Sequence, residues 1–150
     1  MILSVLMVFA EPVCAQDIWV PDGDTIHIDG RPIRFLGIDA PERGQTCRSA
    51  DGHPYDCGAM ARRVLLKMLK AGAVTCTTEG RDSYGRTLGH CQVGATDLNR
   101  EMVARGFARA FVRYSSEYLV DEQAAQAAGK GFWAGSWEAP WAWRAAHPKK

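Results

Sequence analysis

Two groups of acidic residues flank one short stretch of the chain, Asp22-Gly23-Asp24 on one side and Asp39-Ala40-Pro41-Glu42 on the other. Carboxylate oxygens are the ligands that a hard divalent cation such as Ca²⁺ prefers. Two carboxylates held close together repel each other unless a cation or a proton lies between them. The first group alone is typical of a turn, since Asp and Gly are common turn residues. The second group favours a metal site, with Asp24 and Asp39 as its carboxylates.

Two arginines and a glutamate add the groups that a reaction at a phosphodiester needs. Arg34 and Arg86 carry planar guanidinium forks that match two phosphate oxygens. Glu42 follows Asp39 closely, across Pro41, and can hold or deprotonate a water molecule. Hydrolysis requires the charge of the phosphodiester to be neutralised and a water to be positioned in line. Each arginine alone is also compatible with a surface salt bridge, but together with the acids they indicate a catalytic site.

A β-hairpin is the element that must bring these groups together. Residues 25–28 alternate polar and apolar side chains, as a half-buried strand does. Asp29-Gly30 predicts a two-residue turn, because both of its positions take a positive φ. The return strand is predicted over residues 32–38. Since the two free ends of such a hairpin meet, we expect Asp24 and Asp39 to be neighbours in space.

Three motifs occur in order along the chain: Asp-Gly-Asp-Thr from Asp22, Arg-x-x-x-x-Asp-x-Pro-Glu from Arg34, and Asp-x-Tyr-Gly-Arg from Asp82. In this order and at these spacings they resemble the staphylococcal nuclease, or thermonuclease, family over about residues 18–135. The resemblance implies a five-stranded OB-type barrel with three helices packed around it, a fold that commonly binds oligonucleotides. It also implies a Ca²⁺-dependent nuclease that acts on DNA and RNA with little sequence preference and leaves 3′-phosphates.

The resemblance implies roles for individual residues as well. Asp24 and Asp39 match the Ca²⁺ ligands, together with the backbone carbonyl of Ala40, which stands where relatives often carry Thr. The residues that match the catalytic set are Arg34, Glu42 and Arg86. The residues assigned to substrate binding are Tyr84 and Tyr114. Ser83 replaces a lysine of the best-known member, which predicts weaker binding of a terminal phosphate.

The rest of the chain predicts further strands and helices, so the fold class is α+β. Residues 43–56 are predicted to form a loop, and residues 73–78 and 86–93 to form strands. The predicted helices are 58–70, a helix that ends at Gly106, and 117–128. Their predicted N-caps are Asp56 or Cys57, Thr96 or Asp97, and Ser115-Ser116. The Trp-rich segment 132–143 is interpreted as a tail clamped onto the core, with base stacking as the alternative.

Composition predicts a single globular domain, assigned to residues 16–150. Hydrophobic residues make up 47% of the 150-residue chain and charged residues 23%, which are ordinary values for a globular protein. The net charge is only +1, which excludes the strongly basic overall charge typical of tight nucleic-acid binders. Weak, transient binding suits a degradative enzyme, and we expect a monomer whose partner is its nucleic-acid substrate.

The first 15 residues are typical of a secretory signal peptide. Residues 2–10 are apolar and too few to span a bilayer as a helix. Val13-Cys14-Ala15 ends in small residues, so cleavage is predicted after Ala15. No Lys or Arg precedes the apolar run, and the alternatives are a membrane anchor or a start codon placed too late. We expect a secreted or periplasmic protein with no stable membrane association after cleavage.

The cysteines that remain after such a cleavage are even in number, which favours disulfides in an exported protein. Four cysteines allow three pairings. Local pairing favours Cys47–Cys57 and Cys76–Cys91. A zinc site is the alternative, but the spacing contains no Cys-x-x-Cys pair.

Two other functions compete with the nuclease hypothesis. A non-catalytic OB-type module would bind nucleic acid or protein, but modules of that kind have usually lost the acids or arginines that this chain retains. A phosphodiesterase for small nucleotides is compatible with the near-neutral charge. Cleavage of single-stranded DNA separates the enzymes from the binding module, and rates on a dinucleotide and on a long strand separate the two enzymes.

Overall fold

The computed structural model describes residues 15–148, so nearly all of the predicted signal peptide lies outside the described residues. Short strands and helices are mixed along the chain, which confirms the α+β class. The strands are β1 (Ile18–Trp19), β2 (Thr25–Ile28), β3 (Arg31–Phe35), β4 (Ile38–Asp39), β5 (Thr46–Arg48), β6 (Pro54–Asp56), β7 (Val74–Arg81), β8 (Thr87–Val93), β9 (Thr96–Asp97) and β10 (Arg109–Ala110). The helices are α1 (Cys57–Leu69), α2 (Leu98–Ala104), α3 (Leu119–Ala127) and α4 (Pro140–Ala146), with a 3₁₀ helix at Gly131–Ala134. Every helix within residues 15–148 falls short of the length and apolar character that a bilayer crossing needs.

The predicted hairpin is present and forms the centre of the main sheet. β2 and β3 pair antiparallel, with Thr25 opposite Arg34. Asp29 and Gly30 form the turn with φ angles of 50° and 77°, the left-handed values that such a turn requires. The residues that immediately precede β2 and follow β3 therefore lie at the same end of the hairpin.

The return strand is shorter than predicted. β3 ends at Phe35, and the chain turns through Leu36-Gly37, where Gly37 has a φ of 76°. It continues as β4, which leaves the main sheet and pairs antiparallel with β10, Asp39 opposite Arg109. Local alternation of side chains cannot reveal this break, because β10 comes from the C-terminal half of the chain.

The main sheet has the strand order β1-β2-β3-β8-β7, and β9 also pairs with β8. β3 and β8 run parallel to each other. The pairs β4–β10 and β5–β6 form separate two-stranded sheets. Within residues 15–148 the strands are thus divided over three sheets and do not close into the predicted five-stranded barrel. The physical reason is the turn after β3, which sends the next strand to β10 instead of along the main sheet.

The hydrophobic core includes side chains of the main sheet and of the helices α1 and α2. Its completely buried members come from each of these elements. They include Ile26, Leu65, Leu98, Met102 and Val103. The core thus fixes the strands of the hairpin relative to α1.

Helix α1 begins one residue earlier than predicted, and Asp56 caps it by accepting a hydrogen bond from the Ala59 amide at 2.8 Å. The preceding residues 43–56 were predicted as a loop, but they contain the β5–β6 hairpin. The predicted disulfide Cys47–Cys57 joins this hairpin to the first residue of α1. The strand pairing and the disulfide therefore hold the segment after Glu42 against the start of α1.

In the second half of the chain, the disulfide and the cap of α2 agree with the prediction, and the cap of α3 does not. The predicted disulfide Cys76–Cys91 joins directly opposite residues of β7 and β8. Asp97 caps α2 as predicted. α3 begins at Leu119, and Ser115-Ser116 does not cap it. Ser115 Oγ instead accepts a hydrogen bond from the Glu117 amide, within the turn that precedes α3.

The Trp-rich C-terminal segment packs onto the core, as predicted, and it adds a fourth α-helix that was not predicted. Phe132 is 1% exposed and meets Phe107 edge to face, with 5.1 Å between ring centroids. The guanidinium of Arg109 lies 4.7–5.4 Å from three indole rings, those of Trp133, Trp137 and Trp141. α4 starts with Pro140, which suits the first position of a helix. These contacts hold the segment that carries α4 against the core.

Candidate active site

One cleft collects most of the predicted site residues. Its lining includes Asp24, Arg34, Ala40, Glu42, Tyr84, Arg86 and Tyr114. Asp39 is completely buried and reaches the cleft only through the arginines with which it pairs. The fold therefore brings the three sequence motifs to one place.

Arg34 joins the two ends of the hairpin. Its guanidinium forms an ion pair with Asp24 and donates a hydrogen bond to Asp39 Oδ1 at 2.8 Å. The side chains of all three residues are at most 9% exposed. The Ala40 amide also donates to Asp24 Oδ2, at 2.6 Å. Asp24 and Asp39 are thus neighbours, as predicted, with a guanidinium between them.

Burial and pairing oppose each other in the ionisation of these acids. Burial disfavours ionised Asp24, but Arg34 and the Ala40 amide outweigh it and hold the pKa of Asp24 below its ordinary value. Burial raises the pKa of Asp39, and hydrogen bonds from Arg144 offset part of that rise. Burial, and next the charge of Asp24, raises the pKa of Asp22 to about 7. Asp22 therefore marks a place where negative charge is poorly neutralised.

Arg144, on α4, is a site residue that the sequence did not reveal. Its Nη1 donates to Asp39 Oδ1 at 3.0 Å and to Glu42 Oε1 at 2.7 Å. Its Nη2 donates to Asp39 Oδ2 at 2.8 Å. Partial burial lowers the pKa of Arg144, but the hydrogen bonds with Asp39 outweigh this and raise it above its ordinary value. The only signal in the sequence is a single arginine within an aromatic segment, which does not indicate a partner.

Two glycines allow α1 to pack directly against the site. A Cβ atom at Gly23 would lie 2.7 Å from the Cβ of Ala61 and 2.9 Å from that of Ala40. A Cβ atom at Gly58 would lie 1.9 Å from the carbonyl oxygen of Glu42. Residues 22–24 and the Glu42 backbone thus both rest on α1, at places where only a hydrogen atom fits.

Gln45 is a second residue that the sequence did not reveal. It is completely buried, and its Oε1 accepts a hydrogen bond from the Glu42 amide at 3.1 Å. Its Nε2 donates to the carbonyl of Glu138 at 2.8 Å. Its own carbonyl accepts from the Cys57 amide at 3.1 Å. Gln45 therefore fixes the backbone of Glu42 to the start of α1 and to the C-terminal segment.

Arg86 and Tyr84 lie at the edge of the cleft, on the loop between β7 and β8. Asp82 holds this loop, because it accepts hydrogen bonds from the amides of both residues at 2.9 Å and from Arg86 Nε at 2.7 Å. Burial disfavours ionised Asp82, but these hydrogen bonds outweigh it and lower its pKa. Arg86 lies 5.5 Å from the centre of the Tyr84 ring and does not touch the buried acids. Tyr114 also lines the cleft and packs against Phe111.

The donors of this cluster fit a hard divalent cation in charge and in chemistry. Around the guanidinium groups of Arg34 and Arg144 stand four carboxylates, those of Asp22, Asp24, Asp39 and Glu42. When all are ionised, these six groups carry a surplus of two negative charges. Within residues 15–148, no three or more His, Cys, Asp or Glu side chains converge on one point to hold a metal ion. The donors therefore fit a Ca²⁺ site in which backbone carbonyls and water complete the coordination of the cation.

Comparison with protein families agrees with this geometry. Residues 32–135 match the family described as staphylococcal nuclease homologue. The chain belongs to the staphylococcal nuclease family. The matched segment contains Arg34, Asp39, Glu42 and Arg86, and it ends before α4 begins.

Individual relatives in the staphylococcal nuclease family cover this chain to different extents. An uncharacterized endonuclease of Escherichia coli O157:H7 is 34% identical, over 93% of this chain and 94% of its own length. Succinoglycan biosynthesis protein ExoI of Rhizobium meliloti (strain 1021) is 36% identical, over 83% of this chain and 66% of its own length. Endonuclease YhcR of Bacillus subtilis (strain 168) is 34% identical, over 76% of this chain but 11% of its own length. The endonuclease names support nuclease activity for this chain.

Proposed function

We propose that this protein is a secreted or periplasmic, Ca²⁺-dependent nuclease that hydrolyses phosphodiester bonds of DNA and RNA with little sequence preference. The observation that carries the proposal is the cleft in which Arg34, Glu42 and Arg86 face one space beside buried carboxylates. Family membership and relatives named as endonucleases support hydrolytic chemistry. The two disulfides support export to an oxidising compartment, where such bonds persist.

Each catalytic residue has one task in this proposal. Arg34 and Arg86 bind oxygens of the scissile phosphate and neutralise its charge. Glu42 accepts a hydrogen bond from the attacking water and holds it in line with the scissile bond. Arg86 pairs with Asp82 and its side chain is 33% exposed, so it can turn a free N–H towards a phosphate in the cleft. The family likeness supports 3′-phosphates as the product ends.

The proposal includes a Ca²⁺ ion held by Asp24, Asp39 and the backbone carbonyl of Ala40. When bound, the ion supplies positive charge at the phosphate. Tyr84, which is 83% exposed, and Tyr114 contact the substrate along the cleft. We also propose one domain over residues 16–150 that acts as a monomer, with β1–β3, β7 and β8 as the strands of an OB-type surface.

The experiment that tests this function is digestion of single-stranded DNA by the purified protein without residues 1–15. The reaction is run with Ca²⁺ and repeated with a chelator. We expect cleavage that stops on chelation. Cleavage that continues in the presence of the chelator would still support a nuclease. It would contradict the proposal that Asp24 and Asp39 bind a metal ion.

If the folded protein binds single-stranded DNA without cleaving it, that result would contradict the nuclease proposal. It would instead favour the non-catalytic OB-type module. A far-UV spectrum and a cooperative thermal transition establish that the protein tested is folded. Rates on a dinucleotide and on a long strand then show whether the enzyme is a nuclease or a phosphodiesterase for small nucleotides.

A further inference from the structure

Arg144 occupies the carboxylate oxygens that the proposed metal needs. Both oxygens of Asp39 accept hydrogen bonds from it, at 3.0 and 2.8 Å, and Glu42 accepts another at 2.7 Å. Asp39 Oδ1 accepts a further bond from Arg34 at 2.8 Å, so both lone pairs of that oxygen are used. A cation that binds Asp39 at Oδ1 must therefore displace an N–H donor, and one that binds at Oδ2 lies next to the Nη2 donor of Arg144.

The two arginines differ in how easily they can withdraw. Arg34 lies within β3, and its side chain is only 9% exposed. Arg144 lies on α4, and its side chain is 37% exposed. Both arginines line the cleft, but the side chain of Arg144 is much more exposed there than that of Arg34, which also pairs with both Asp24 and Asp39. Arg144 is therefore the donor that a cation would displace.

Charge adds to this competition for lone pairs. A guanidinium within 3 Å of a carboxylate oxygen repels a cation at the same oxygen, because buried charges are weakly screened. Arg144 at the same time compensates the charge of Asp39, which would otherwise share one arginine with Asp24. The guanidinium thus takes the electrostatic place of the cation.

We propose that Arg144 competes with Ca²⁺ for Asp39 and Glu42 and thereby sets the calcium affinity of the site. This inference rests on the proposed Ca²⁺ site. Arg144 acts as a positioning residue, because it contacts the acids and not the substrate. Calcium binding and release of Arg144 from Asp39 are then one linked equilibrium.

The test is calorimetric titration of the purified protein with Ca²⁺ alone, in wild type and in Arg144→Gln. Gln has no charge and cannot hold both oxygens of Asp39 together with Glu42. We expect the variant to bind Ca²⁺ about tenfold more tightly. Arg144→Lys, which retains the charge but not the planar fork, should lie between the two.

Arg113→Gln is the matched control. Arg113 lines the same cleft and makes no ion pair within the described part of the chain. Arg113→Gln removes one positive charge from the cleft, as Arg144→Gln does, but it leaves Asp39 and Glu42 paired with Arg144. The Ca²⁺ affinity should therefore change less than twofold. Equal tightening in Arg113→Gln and Arg144→Gln would overturn competition at Asp39.

The remaining outcomes separate this inference from the proposed function. Wild type that binds Ca²⁺ and cleaves DNA, with unchanged or weaker affinity in a folded Arg144→Gln, overturns the inference alone. No binding of Ca²⁺ by wild type or variant overturns the metal site and the inference together. Binding that is measurable in Arg144→Gln but not in wild type supports the inference. If Arg144→Gln does not fold, a Ca²⁺ affinity of Arg144→Lys equal to that of wild type overturns it.

Discussion

At the scale of single residues, hydrogen bonds fix both the backbone and the side chain of Glu42. A substitution there is therefore a direct test of the proposed mechanism. The Glu42 amide donates to Gln45, and its carboxylate accepts from Arg144. Glu42→Gln keeps the size of the side chain but removes its charge and most of its basicity. We expect kcat on single-stranded DNA to fall by about 10²–10⁴-fold, because the attacking water loses its acceptor. Turnover and the thermal midpoint are measured on the same preparation.

Glu101→Gln is the control for that substitution. Glu101 lies on α2, away from the cleft, in an exposed ion pair with Arg105. Its loss should cost less than about 1 kcal/mol of stability and leave kcat unchanged. A kcat for Glu42→Gln equal to that of Glu101→Gln would remove Glu42 from the mechanism.

Tyr118 carries a prediction about alkaline pH that does not involve the site. It is completely buried, and its hydroxyl lies 2.9 Å from His90 Nδ1. Burial, and next the charge of Asp97, raises the pKa of Tyr118 above its ordinary value of about 10. The folded protein therefore holds this proton more tightly than the unfolded chain does. That contribution to stability is complete below about pH 10 and is lost as the pH rises towards the folded pKa.

Urea unfolding of wild type and Tyr118→Phe between about pH 9 and pH 12 measures this contribution. Wild type should lose stability more steeply above about pH 10 than the variant, which has no hydroxyl at position 118. Phe retains the ring in the core, so packing is matched. Parallel loss of stability in the two proteins would contradict the prediction.

Single residues of the site were predictable where their signals are local. Asp24 and Asp39 flank one hairpin, and the alternating strands and the Asp-Gly turn indicate that its ends meet. Arg144 was not predictable, because it contacts Asp39 across a separation of 105 residues. Gln45 was missed for another reason, since a polar residue in a polar segment does not signal its own complete burial.

At the scale of elements, α1 positions Glu42, the proposed catalytic glutamate, through close backbone contact. Gly58→Ala would place a Cβ atom 1.9 Å from the Glu42 carbonyl oxygen, so α1 and the backbone of Glu42 must move apart. A displacement of about 1 Å at a catalytic group can cost about 100-fold in rate. We therefore expect kcat for Gly58→Ala to fall by about two orders of magnitude.

Asp56→Ala is the matched control on the same helix. It removes the side-chain cap of α1, whose hydrogen bond to the Ala59 amide is 2.8 Å long. This should cost about 1 kcal/mol in urea unfolding, while kcat stays near the wild-type value because Glu42 is not displaced. Equal losses of kcat in the two variants would show that the stability of α1, and not the position of Glu42, controls the rate, and a wild-type kcat in Gly58→Ala would contradict the prediction outright.

Elements with capping and turn signals of their own were predictable, and those defined by distant partners were not. α1 and α2 have aspartate caps in the sequence, and the structure uses both. β4 exists only because β10 pairs with it, and nothing near Ile38 signals that partner. α4 lacks a side-chain cap, and the aromatic contacts of its segment hold it against the core.

At the scale of the whole molecule, the structure differs from the prediction because the described strands do not close into a barrel. Sequence motifs supply the family, whose match covers residues 32–135, and they correctly indicate strands mixed with helices. They do not determine which strand edges meet, because pairing depends on chain turns such as the one at Gly37. The described strands form three sheets, where a single five-stranded barrel was predicted.

The charge of the whole molecule predicts how cleavage responds to salt. The net charge is +1, so long-range attraction of a polyanion is weak and the cleft arginines must supply the contacts. Contacts to two to four phosphates of a single strand give a slope of roughly −1.4 to −2.8 for log(kcat/KM) against log[KCl]. The rate on a long single strand is measured at constant, saturating Ca²⁺.

Substitutions locate the arginines and lysines responsible for that slope. Arg86→Gln removes one proposed phosphate contact, so the slope should become shallower by about 0.7. Arg63 and Lys67 are exposed on α1 outside the cleft, and replacing both with Gln should leave the slope unchanged. A change of slope in that double variant would place the nucleic acid along α1 instead. The cleft would then hold only the scissile phosphate, and the solvent-exposed face of α1 would be the main substrate-binding surface.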